Sequence, residues 1–176
     1  PLFGGWGSAN WIIPWADEIG PPGLKAEILQ VRSVTSIIGS FLAGLIATLV
    51  GRRSTYFFTS LGALLTAQYV FWFTTPLDSG FLALVGLLGF FNGVFFGWLP
   101  FFLPELFESR VRATGAGVSF NFGRILTATT IFLTPAMTQV FGGSYAHIGR
   151  TTSLVFVIGM VVVLLAPDTS KRKLEA

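Results

Sequence analysis

Cysteine is absent from the 176 residues, which removes disulfide frameworks, thiolate nucleophiles and cysteine-based metal sites together. Histidine occurs once, as His147 in a polar connection beside Gly142, Gly143 and Arg150, and one ligand does not make a metal site. Charge is scarce as well: 11% of residues are charged and 52% hydrophobic, with a mean hydropathy of +0.73. A soluble core of this length needs a charged cover, yet these charges gather in short places between long apolar runs, so the expected solvent is lipid. The net charge of +3 and the pI near 9.7 do not point to nucleic acid, because the basic residues stand at the ends of apolar segments and not in a patch interleaved with aromatics. Nucleophile–base pairs, metal clusters and phosphate-cradling glycine loops are missing too, so neither an enzyme nor a cofactor is expected. The first residue is Pro1, and no basic segment followed by a cleavage site marks a signal peptide, so the sequence reads as a piece of a longer protein.

What the sequence does have is long apolar segments. A bilayer core of roughly 30 Å needs about 20 apolar residues in a helix. Five stretches fit, near 28–50, 54–74, 81–103, 113–135 and 148–166. Ahead of them, residues 1–16 are apolar and aromatic but broken by Gly4, Gly5, Gly7 and Pro14, and resemble the end of a sixth helix whose Trp6, Trp11 and Trp15 mark a membrane–water boundary. The expected fold is all-α, a polytopic membrane helical bundle. Lys and Arg are distributed unevenly over its two faces: Arg52, Arg53, Arg110, Arg112, Lys171, Arg172 and Lys173 fall on one side, Lys25 and Arg150 on the other, and Arg32 and Arg124 inside spans. The richer side is expected to be cytoplasmic, with the C-terminus inside and the chain's start outside.

Lipid gives helices no hydrophobic reason to associate, so close backbone approach must supply the contact. Gly89, Gly93 and Gly97 repeat at four-residue steps in the third span, and Ser36, Ser40 and Gly44 do so in the first. Pro100 and Pro104 follow the glycines, where a helix can bend. The second span, crowded with Tyr56, Phe57, Phe58, Tyr69, Phe71, Trp72 and Phe73, and the almost purely aliphatic fifth are expected to face lipid. The first, third and fourth carry the polar groups and are expected to face protein or a water-filled cavity.

Three motifs carry a family resemblance. PELFESRVRATG (104–115), followed by NFGR (121–124), resembles the connection between the tenth and eleventh spans of the major facilitator superfamily, in the form found in sugar porters and metabolite–proton symporters. GLIATLVGRR (44–53) resembles the cytoplasmic signature G-x-L-A-D-R-x-G-R-R between the eighth and ninth spans, with Thr48 and Leu49 at its acidic and basic positions. PDT (167–169) with the basic residues after it resembles the sugar-porter ending P-E-T-K-G. The resemblance numbers the spans eight to twelve, with the tail of the seventh in front. It implies the C-terminal half of a transporter whose partners are a small-molecule solute, the bilayer and an N-terminal half outside these residues.

Candidate site residues follow from cost and depth. Arg124 lies 12 residues beyond Arg112, roughly 18 Å up a helix and near the bilayer midplane. A guanidinium there costs about 2.5–3.5 kcal/mol, so it is expected to face the bundle interior and to have a partner: an anionic solute group, a carboxylate of the other half, or a permanent buried ion pair. Gly117, Asn121, Arg124 and Thr127 share one broad helical face, and Thr127 can instead bond back to its own helix. Asn92, mid-span at a similar depth, can hydrogen-bond a polar solute or a neighbouring helix. Glu105 and Arg112, with Arg52 and Arg53, stand at the inner surface, where charge pairs can hold one state of an alternating-access carrier closed, although solvated topological charge accounts for them as well. No acidic residue lies deep in any span, so a proton-coupling carboxylate would belong to the other half. The function expected is ion-coupled transport of a sugar or organic acid. The alternative is a non-transporting membrane module, a sensor or a packing half.

Overall fold

The computed structural model describes residues 9–165, and the charged tail, the PDT motif and Trp6 lie outside them. A short 3-10 turn, Ala9–Trp11, leads into α1 (Ile12–Ile19); α2 (Leu24–Val50), α3 (Arg52–Phe73), α4 (Phe81–Glu105) and α5 (Arg112–Phe132) are long, and α6 (Thr134–Val140), α7 (Tyr145–Ser153) and α8 (Val155–Leu165) are short. The described residues contain no strand.

Helices lie over the five long apolar stretches, with breaks that have local causes. α5 stops at Phe132 and α6 restarts with Pro135 in its first turn, where a missing N–H costs nothing. α7 and α8 together occupy the last span, interrupted at Leu154, whose N–H reaches Thr151 O at 3.3 Å in a tightened i→i+3 turn. Thr151 and Thr152 bond back to His147 O and Ile148 O at 3.0 and 2.8 Å, a habit that loosens a helix just ahead of such a turn. Among the described residues, Leu24–Val50, Phe81–Glu105 and Tyr145–Leu165 are long and apolar enough to cross a membrane. α3 and α5, of 22 and 21 residues, have the length, but their hydroxyls, amides and arginines lower the average hydropathy.

The tightest contact is α2 against α4. Ser36's backbone carbonyl occupies the space that a Cβ on Gly93 would need, a Cβ on Gly97 would stand 2.5 Å from Ser40 O, and Ser40 Oγ donates to Gly93 O at 2.9 Å. The α4 half of the expected small-residue stripe is therefore the seam. On α2 Ser36 and Ser40 belong to the seam, but Gly44 meets nothing within 4 Å, and Gly39, Ala43 and Ala47 take the buried positions.

The expectation that the second span faces lipid needs correcting. α3 buries Thr55, Thr59, Ala63, Ala67 and Val70 on one stripe, while Phe58, Tyr69, Trp72 and Phe73 stay uncovered. Small and hydroxyl side chains let α4 and α8 approach α3, and the large rings are left outside. α8 remains mostly exposed, burying Phe156 and Val163. Trp11 and Trp15 lie near the expected end of the bundle but point inward: Trp15 packs on Phe71 and Phe81, at ring separations of 5.7 and 5.9 Å, and Trp11 stacks on Tyr145. They fill the space where α1, α3, α4 and α7 converge.

Candidate functional site

At one end of the bundle Gly51 is at once the last cap of α2 and the first of α3, with φ 92° and ψ 155°. Only glycine takes that conformation without strain, and it turns the chain sharply enough to bring Arg52 under the bundle. Arg52 Nη1 donates to Ala47 O at 3.1 Å, among the carbonyls at the C-terminal end of α2. Its Nη2 and Nε meet Glu105 Oε1 and Oε2 at 3.1 and 3.4 Å. The side chains are 25% and 10% exposed, so this is a partly buried, two-pronged pair that ties the start of α3 to the end of α4.

Arg53 and Arg112, the other two residues expected at the gate, do not join it. Arg53 Nε donates to Val163 O at 3.2 Å and its Nη2 to Leu164 O, which caps the negative end of α8. Arg112 Nη2 reaches Ser109 Oγ at 3.1 Å, and no described carboxylate is within ion-pair reach of it.

Asn92 is buried, at 3% exposure, on the α4 stripe of Val85, Leu88, Phe95 and Leu99. Both of its amide atoms are buried, and neither has a partner among the described residues. Arg124, expected to point inward to a partner, is exposed on α5, and no described residue bonds or pairs with it. The physical reason is coverage, because nothing in the described chain packs over that face. Asn121 Nδ2 donates to Gly117 O and Thr127 Oγ1 to Gly123 O, both at 2.9 Å, so each is bonded within its own helix. Asn92 and the α5 group are therefore not brought together. An apolar cavity of about 230 Å³ between α3, α4 and α8, lined by Tyr56, Trp98 and Phe102 among others, offers little to a polar solute.

Two further polar clusters join separate segments. Gln68 Nε2 donates to Arg150 O and Ser153 Oγ at 2.9 and 2.7 Å, Arg150 Nε to Phe71 O at 2.7 Å, and the Arg150 guanidinium lies 4.0 Å over the Trp72 ring, so the ends of α3 and α7 are locked together. Arg32, inside α2, donates from Nη1 to Asn10 Oδ1 at 2.9 Å. An arginine within an apolar run was the available signal; its partner, in a separate turn, was not.

A helical bundle with membrane-length apolar helices and charge confined to its ends and a few interior arginines is the architecture of an integral membrane protein. The family model described as sugar (and other) transporter matches residues 28–176, and the chain belongs to that family, one of transporters and not of enzymes. A cis,cis-muconate transport protein of Acinetobacter baylyi is 30% identical over 125 residues, covering 70% of this chain and 30% of that protein. An inner membrane metabolite transport protein of Escherichia coli is 34% identical over 137 residues, covering 76% and 30%. A probable 4-methylmuconolactone transporter of Cupriavidus pinatubonensis is 27% identical over 128 residues, covering 72% and 29%. The matched part is thus about three-tenths of each of these relatives. No solved structure matches the chain significantly.

Proposed function

We propose that the complete protein moves a small organic acid, or another small polar metabolite such as a sugar, across the membrane by ion-coupled alternating access, and that this chain supplies spans eight to twelve of its C-terminal half. The observation that carries the reading is the Arg52–Glu105 pair. It lies where Arg52, Arg53, Arg110 and Arg112 concentrate, which by charge asymmetry is the cytoplasmic face, with the C-terminus inside. Made, the pair holds the α3 and α4 ends together; broken, it frees α4, which carries Pro100 and Pro104 just above, to swing. The uncovered α5 face then turns Arg124 and Asn121 toward the N-terminal half across the solute path. Relatives named for muconate and a methylmuconolactone favour a carboxylate, which a guanidinium grips with two parallel hydrogen bonds. With no acid deep in these spans, the coupling group belongs to the other half.

The test is uptake by full-length protein in proteoliposomes, over a panel of organic acids and sugars. Arg52→Glu and Glu105→Arg should each cut uptake severely, and the double exchange should recover a substantial part of it, because the pair is restored with reversed sign. Single changes that transport at the wild-type rate would remove the gate from the reading. Arg124→Ala and Arg124→Lys should fold and lose uptake of carboxylates.

A further inference from the structure

Arg32 lies eight residues inside the start of α2, roughly 12 Å along a helix of about 40 Å, and so within the hydrocarbon layer. Its backbone is pressed against α4, where a Cβ on Gly89 would stand 2.8 Å from Arg32 O. Its side chain crosses to the turn before α1 and donates to Asn10 Oδ1. The guanidinium therefore sits where three segments meet, only part exposed, with a neutral amide as its one bonded partner among the described residues. Asp17, on α1, is engaged by Lys25 at 3.0 Å.

The hydrogen-bond inventory of this cluster is one-sided. A guanidinium offers about five N–H donors and no acceptor, and an amide about two donors. Asn10's oxygen is used by Arg32, and its Nδ2 donates to no described residue. Among the described residues these donors outnumber the acceptors that face them, around a fixed positive charge in a low-dielectric layer. The chemical complement is an anionic acceptor with two oxygens.

Resting on the transport reading, we propose that Arg32, steadied by Asn10, binds the carboxylate of the solute from the outer half of the path, a contact separate from that of Arg124. Arg32 sets specificity for acids over their neutral analogues, and Asn10 is a positioning residue that keeps the guanidinium fork aimed.

Calorimetric titration of the detergent-purified full-length protein with benzoate, sorbate and adipate, each beside its methyl ester, tests this. Wild type should bind at least one acid and bind its ester far more weakly. Arg32→Gln should weaken that acid about tenfold or more, the loss of one charged hydrogen-bonding contact. Arg32→Lys, which keeps the charge and loses the fork, should fall between, and Asn10→Ala should weaken the acid less than Arg32→Gln does. Arg32→Lys and Asn10→Ala carry the test if Arg32→Gln does not fold. The proposal is overturned if folded variants bind the acid as wild type does, if no acid binds, or if acid and ester bind alike. It is also overturned if Arg32→Gln lowers thermal stability without changing acid affinity, since Arg32 would then answer a carboxylate of the other half. Uptake separates the two readings: wild-type transport with Arg32-independent affinity sinks this inference alone, whereas absence of uptake of every solute sinks the transport reading.

Discussion

Asn92 carries a side-chain amide into an apolar stripe and leaves both of its ends without a hydrogen bond among the described residues. Such a group costs the desolvation of its donor and acceptor with nothing in return. Leucine has the same branching without the polarity, so Asn92→Leu should raise thermal stability of the full-length protein by about 1–3 kcal/mol. An unchanged or lowered melting temperature would mean that the amide has a partner supplied from outside the described chain. At this scale the sequence was legible in kind and illegible in direction. That Asn92, Arg124 and Glu105 are polar groups at costly or exposed ends follows from position along an apolar segment. Their facing depends on what packs against each helix: Asn92 points into the core, Arg124 away from it, and Glu105 chose Arg52 over Arg112, 53 residues away as against seven, because Gly51 turns Arg52 under α4.

Helices themselves were the most legible layer, because roughly 20-residue apolar runs admit little else in lipid. Their packing was legible only where glycine marked it. The α4 stripe of Gly89, Gly93 and Gly97 is the seam with α2, whereas Gly44, in equivalent spacing on α2, faces open space, since spacing states a face and not its occupant. The contrast sets a prediction for the pair of helices. Gly93→Ala puts a methyl group into Ser36's carbonyl and should destabilise the protein by about 1–3 kcal/mol, as overpacking of a close seam does. Gly44→Ala adds its methyl group where nothing lies within 4 Å and removes a helix-interior glycine, so it should be neutral or stabilising by up to about 1 kcal/mol. Thermal unfolding of the two variants side by side checks both; equal losses would mean that the other half of the protein covers Gly44 as closely as α2 covers Gly93.

For the molecule as a whole, the two ends differ in what holds them. One has the partly buried ion pair, Arg52–Glu105, which joins α3 to α4, with Arg53 capping α8, whereas the Lys25–Asp17 pair of the other end is exposed. The other is aromatic and amide-rich, with Trp15 wedged against Phe71 and Phe81 and with Gln68, Trp72 and Arg150 interlocked. That division accords with the charge asymmetry, since side chains on the translocated face of a membrane carry fewer Lys and Arg, while Trp and Tyr suit either boundary. If the charged end is cytoplasmic, Ser109 in the connection after α4 faces inside and Ser79 in the turn before α4 faces outside, both exposed and neither in the pair or the seam. This chain has no cysteine of its own, so Ser79→Cys and Ser109→Cys can each be placed in a full-length protein cleared of any other thiol. A membrane-impermeant maleimide applied to intact cells should label Cys introduced at 79 and spare the one at 109 until the membrane is permeabilised. The reverse pattern would invert the bundle, placing the Arg52–Glu105 pair at the outer end and the Arg32–Asn10 contact toward the inner one.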